Sequence, residues 1–149
     1  MALFALMTWS GAVLLGLYML TVWLIENDAT GRGATASQLP SPVVFTHLVL
    51  ALTGLAVWGL YLLTDREQLA WAAVGLLSVI VLLGLLMFTR WIPVHRGPDE
   101  PSAHPAFAGS AADLPAEGNF PVAIVACHGV FATITYILVL LTALGVGGS

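Results

Sequence analysis

The chain has 149 residues, 59% of them hydrophobic and 8% charged, with a formal net charge of −4 and a mean hydropathy of +0.97. A water-soluble domain carries about 25% charged residues to cover its surface, so the composition argues for an integral membrane protein. The four Lys and Arg residues form no basic patch, which argues against nucleic acid as a partner.

The first apolar segment, residues 2–25, has no charged side chain. It lacks a basic n-region, and its apolar run is too long for a signal-peptide core. "ATAS" at 34–37 faintly resembles a cleavage site but lies well past that run. The segment therefore reads as a retained helix. Residues 26–42, "ENDATGRGATASQLPSP", form a polar loop. The second apolar segment, residues 43–63, and the third, residues 69–89, flank "TDREQ", a tight turn that predicts an antiparallel hairpin. Residues 90–119 form a long, proline-rich loop. The fourth apolar segment is residues 120–144, ahead of a glycine-rich tail. Each segment is long enough to cross a hydrocarbon core of roughly 30 Å as a helix, and none alternates as a β-barrel strand would. The fold class is all-α: one integral membrane four-helix bundle, up-down-up-down. Trp71 and Trp91 lie near helix ends, where indole rings favour the interface.

Four spans put both termini on one side and the first and third loops on the other. Arg32, Arg90 and Arg96 lie on the loop side, and Arg66 with the terminal amine lies opposite. The positive-inside rule then places both termini outside a bacterial cytoplasmic membrane.

The single cysteine, Cys127, allows no internal disulfide and reads as a small hydrophobe. His95 and His104 read as solvated loop histidines. Asp99, Glu100, Asp113 and Glu117 are dispersed in the same loop and read as solvated charges. No nucleophile–base–acid set, phosphate loop or paired carboxylate points to an enzyme acting alone.

His47, in "PSPVVFTHLVLALTG", and His128, in "FPVAIVACHGVF", interrupt apolar runs. His47 lies six residues beyond Ser41, and His128 eight beyond Phe120. Both helices start from the loop side, so both imidazoles sit about 9–12 Å in, at comparable depth. Positions i+4 and i+7 share the face of i: Ala51 and Gly54 from His47, Ala132 and Thr135 from His128. Gly129 removes one more side chain. Small residues beside an imidazole leave space for a flat macrocycle or let helices approach closely.

The functional expectation is one b-type haem held by His47 and His128, faced by Ala51, Gly54, Gly129, Ala132 and Thr135. Arg90, Arg96 or Arg32 would meet its propionates. Met19 and Met87 also lie towards the loop side and keep His/Met ligation open. The competing reading is that the histidines only join helices by hydrogen bonds. Ala12-x-x-x-Gly16 and Gly129-x-x-x-Thr133 look like tight helix contacts of that kind. A metal site adding Cys127 is disfavoured, because Cys127 points roughly 100° around the helix from His128.

"AEGNFPVAIVACHGVFATITYILVLLTALG" resembles the last helix of small four-span membrane proteins of actinobacteria, and "AWAAVGLLSVIVLLGLLMFTRWIP" resembles their third. The likeness covers roughly the last three helices and implies a source rather than a mechanism. In general layout the chain also resembles small cytochrome b subunits of respiratory enzymes. Three functions follow as expectations. The first is a haem-binding electron-transfer subunit of a larger complex, with quinone as a candidate partner. The second is an accessory or assembly subunit without cofactor, bound to lipid and to a larger complex or a second copy. The third is a small transporter, which the absence of charge in every span disfavours.

Overall fold

The computed structural model describes residues 1–30, 37, 39–96 and 116–146, with residues 27–30 and 96 by backbone alone. Four helices carry the chain: α1 (Ala2–Thr30), α2 (Ser41–Thr64), α3 (Glu67–Arg96) and α4 (Val122–Ala143). A short 3₁₀ turn, Ala116–Asn119, leads into α4. All four helices are long and apolar enough to cross a membrane. The protein is an all-α four-helix bundle, and these helices fit a small integral membrane protein.

The helix starts have simple local causes. Pro40 and Pro121 stand at the N-caps of α2 and α4 with extended backbone. Pro42 follows inside the first turn of α2, where a missing N–H breaks no bond. Between α2 and α3 the chain turns on Asp65, a non-glycine residue at φ 49°, whose N–H returns to the Tyr61 carbonyl at 2.8 Å. The expected hairpin is there.

Two helices run further than the charge-free segments. α1 continues past residue 25 to Thr30, and α3 continues past residue 89 to Arg96 with Pro93 inside it. The start of the expected 90–119 loop is thus helical. A charged side chain marks where the hydrocarbon ends, not where backbone hydrogen bonding must stop. Trp91 departs from its expected role in the same way: it is buried rather than an interfacial anchor. His95 belongs to the last turn of α3, exposed and stacked on Trp91 with ring centroids 4.9 Å apart.

The helices form a square. α1 packs on α4 and α2 packs on α3, and the two pairs meet through α1–α2 and α3–α4. α2 and α4 are therefore diagonal. At the terminal end the interior is closed by a core of Ala5, Trp9, Trp58, Ala73, Leu77 and Val139. Its polar atoms are joined across helices: Trp58 Nε1 donates to the Ala2 carbonyl at 3.1 Å. Ser78 and Tyr136 share a hydrogen bond at 3.2 Å. Thr135 donates to Thr8 at 2.9 Å. The outer face is the reverse of a soluble protein's, with Phe4, Leu14, Leu63 and Leu82 exposed as a lipid-facing surface requires.

Candidate functional site

His47 and His128 are each the seventh residue of their helix, in α2 from Ser41 and in α4 from Val122. Six residues at 1.5 Å put both about 9 Å below the helix start. Because α2 and α4 are diagonal, the rings face each other across the centre of the bundle. Their centroids are 6.2 Å apart, with planes inclined at 51°.

Each ring rests on the neighbouring helix of its own pair. His128 Nδ1 lies 2.9 Å from the Ala12 carbonyl of α1. A carbonyl only accepts, so His128 carries its proton on Nδ1 and keeps the Nε2 lone pair. One turn on, Gly16 makes room: a Cβ there would stand 3.3 Å from His128 Cε1. His47 repeats the arrangement on α3. A Cβ at Gly84 would stand 3.4 Å from His47 Cε1. The Ile80 carbonyl, one turn earlier, lies beside the ring but outside good hydrogen-bond geometry, so His47 Nδ1 is buried without a partner. No hydrogen bond reaches either Nε2 among the described residues.

Both rings border a cavity of about 640 Å³. That lies within the range of roughly 300–1,000 Å³ typical of small-molecule and cofactor sites. Its wall is almost wholly apolar, and among the described residues no Asp, Glu, Lys or Arg lines it. Ala51, Gly129, Ala132 and Thr135 border the cavity, as do Met19 and Met87.

Other sequence-selected residues stand elsewhere. Gly54 does not line the cavity, because the Trp9 ring fills its face. Arg90 is exposed on α3 and outside the lining, and Arg96 ends α3. Arg32, His104, Asp99, Glu100 and Asp113 lie outside the described residues. Cys127 is exposed, turned away from the pair. Ala12 and Gly16 do make a tight contact, with His128 as the group received. Gly129 makes none: a Cβ there would meet nothing within 4 Å.

The loop end of the cavity is closed by Trp23, Leu39, Trp91, Ala116 and Phe120, all buried. One polar network holds this lid. Ser37 donates to the Glu117 carboxylate at 2.8 Å and accepts from Trp23 Nε1 at 3.0 Å and the Leu39 N–H at 3.1 Å. Trp91 Nε1 donates to the Glu117 carbonyl at 3.1 Å. Glu117 is thus fully buried, not the solvated charge its loop setting suggests. Its partner Ser37 is eighty residues away, and no local pattern announces the pairing. Ser37→Ala strands the Trp23 indole and the Leu39 amide, which is expected to cost about 1–3 kcal/mol. Thermal unfolding in detergent, followed by tryptophan fluorescence, reads this as a lowered midpoint.

Sequence reasoning picked Ala12 and Gly16 only as a helix contact and missed Gly84 and Ile80; together the four seat the two rings. α1 and α3 each carry two glycines, so glycine alone did not single out Gly16 and Gly84. Compared with known proteins, the chain matches no protein family, no curated protein and no solved structure.

Proposed function

We propose that this membrane protein holds one b-type haem between His47 and His128 and serves as an electron-transfer subunit of a larger redox complex. One observation carries the reading. Two imidazoles on diagonal helices, at equal depth, face each other across an apolar cavity with unengaged Nε2 atoms and centroids 6.2 Å apart. A metal ion held by two imidazole nitrogens at about 2 Å each spaces the ring centroids by roughly 6 Å.

The residues present fit the group. The seats at Gly16 and Gly84 admit rings that a Cβ would crowd. The Nδ1–H bond to the Ala12 carbonyl orients His128 and raises the basicity of its other nitrogen. The unpartnered Nδ1 of His47 has the Ile80 carbonyl beside it, poised for the same service. The chain has no Cys-x-x-Cys-His, so attachment is through the imidazoles alone. Bound haem supplies reversible one-electron chemistry, at a potential tuned by its ligands and burial. The apolar walls exclude water from the ligands. Met19 and Met87 are reserve ligands on the cavity wall, and Arg90, which lies outside the lining, would meet a propionate only past the loop-end lid. The partners in this reading are lipid, a larger membrane complex or a second copy, and a quinone. The setting is a bacterial cytoplasmic membrane with both termini outside, and the source family is the actinobacterial one.

The test is a reduced-minus-oxidised visible spectrum of protein purified in detergent after expression with ample haem. The expected result is a b-type spectrum in the wild type that is lost in both His47→Ala and His128→Ala. Survival in one mutant transfers that ligand to Met19 or Met87. A colourless wild type ends the cytochrome reading in favour of the second one, an accessory subunit without cofactor. That alternative draws on the His128–Ala12 and Thr135–Thr8 hydrogen bonds, which join α1 to α4 without any ligand.

A further inference from the structure

The cavity is sealed at both ends, yet one of its sides is open. The core around Trp9 and Trp58 closes the terminal end, and the lid of Trp23, Leu39, Trp91 and Phe120 closes the loop end. Every cavity-lining residue of α1 and α2 is buried or half-buried. The exposed lining residues belong to α3 and α4.

The seam between those two helices shows why. Ser78 of α3 and Tyr136 of α4 meet in a hydrogen bond. Seven residues towards the loop end on each helix, the same faces present Leu85 and Gly129. These should touch if the helices stayed in contact. Instead Leu85 is 54% exposed, and among the described residues nothing lies within 4 Å of where a Gly129 Cβ would be. Gly129 adjoins His128 in the chain, so α3 and α4 part at the level of the histidines.

We propose that this gap between α3 and α4, framed by Leu85 and Gly129, is the lateral entrance through which haem passes from the bilayer to the histidine pair. The inference rests on the haem reading above. A flat, largely apolar macrocycle dissolved in the membrane meets here an apolar slot at the depth of its ligands. The alternative route, through the loop end, requires breaking the Ser37–Glu117 network and displacing buried tryptophans.

A residue at a doorway alters the rates in both directions equally and leaves affinity unchanged, whereas a residue in the seat alters affinity. Gly129→Phe adds a ring where there is empty space, and Leu85→Trp narrows the other jamb. The experiment follows haem uptake by the haem-free protein in liposomes by stopped-flow absorbance, and haem release to excess apomyoglobin. Leu85→Trp, at the exposed edge of the gap, is expected to slow uptake and release by about tenfold or more with their ratio unchanged, and Gly129→Phe, which borders the cavity beside His128, is expected to slow uptake at least as much. Ser37→Ala, which loosens the lid, is expected to leave both rates unchanged. Wild-type rates in both doorway variants, or acceleration by Ser37→Ala, overturn the lateral route while leaving the haem reading intact. A change in affinity without a matched change in rates also overturns it, by making Gly129 part of the seat. A wild type that takes up no haem ends both.

Discussion

Gly54→Ala is expected to destabilise the bundle by about 1–3 kcal/mol, the usual cost of forcing atoms into a packed interior. The added Cβ would stand 2.6 Å from one carbon of the Trp9 ring and 2.9 Å from another. Trp9 is itself buried among Trp58, Ala73 and Leu77, so its ring can yield only towards the cavity it borders. The matched control is Gly59→Ala on the same helix, where a Cβ meets nothing within 4 Å. That change is expected to be neutral or slightly stabilising, because alanine is the better helix former. Thermal unfolding of both variants in one detergent compares them directly. Equal midpoints would show that the Trp9–Gly54 contact is not tight. Folded Gly54→Ala is further expected to keep its haem spectrum, since Gly54 lies outside the cavity lining.

On the proposed haem reading, Gly16→Val and Gly84→Val are expected to lower haem affinity by about 10–100-fold, the scale on which groups supporting metal ligands act. Alanine at Gly16 already sets a carbon 3.3 Å from His128 Cε1, close enough to nudge the ring. The two further carbons of valine push the ring from its place over α1 and strain its bond to the Ala12 carbonyl. At Gly84 the first added carbon would stand at contact distance, 3.4 Å from His47 Cε1, and the two further carbons of valine do the crowding. Titration of haem-free protein with haem in detergent gives the affinities. Unchanged affinity in both valine variants would remove the glycines from the site. Retained helical circular dichroism separates loss of the seat from loss of the fold.

The four spans were legible because charge is missing from them, and a bilayer demands that absence over some twenty residues. The two extended helices were not, since nothing about Glu26 or Arg90 forbids helix once the chain has left the hydrocarbon. The depth of the histidines followed from helix count and topology, and both prove to be seventh residues. Their seats on the neighbouring helices were not legible, for a geometric reason. The faces the histidines share on their own helices hold Ala51, Gly54, Ala132 and Thr135. An imidazole reaches sideways, so the glycines that matter stand on the neighbouring helices. Ala12-x-x-x-Gly16 was visible as a tight-contact motif, but its guest was not, because a sequence does not say which helix is adjacent. Glu117 shows the same limit. A carboxylate in a loop is read as solvated until a hydroxyl from a distant loop is placed against it.

The bundle is clamped at both ends and unsupported between. Near the termini, Trp58 to Ala2, Trp9 on Gly54 and Ser78 to Tyr136 tie the α1–α4 pair to the α2–α3 pair. Near the loops, Ser37 and Glu117 tie them again. The helix spans between these ties act as stiff struts, so the space around the two rings is vaulted, like the room beneath an arch. A ligand bound between such tied helices would spend little of its binding free energy in ordering the host.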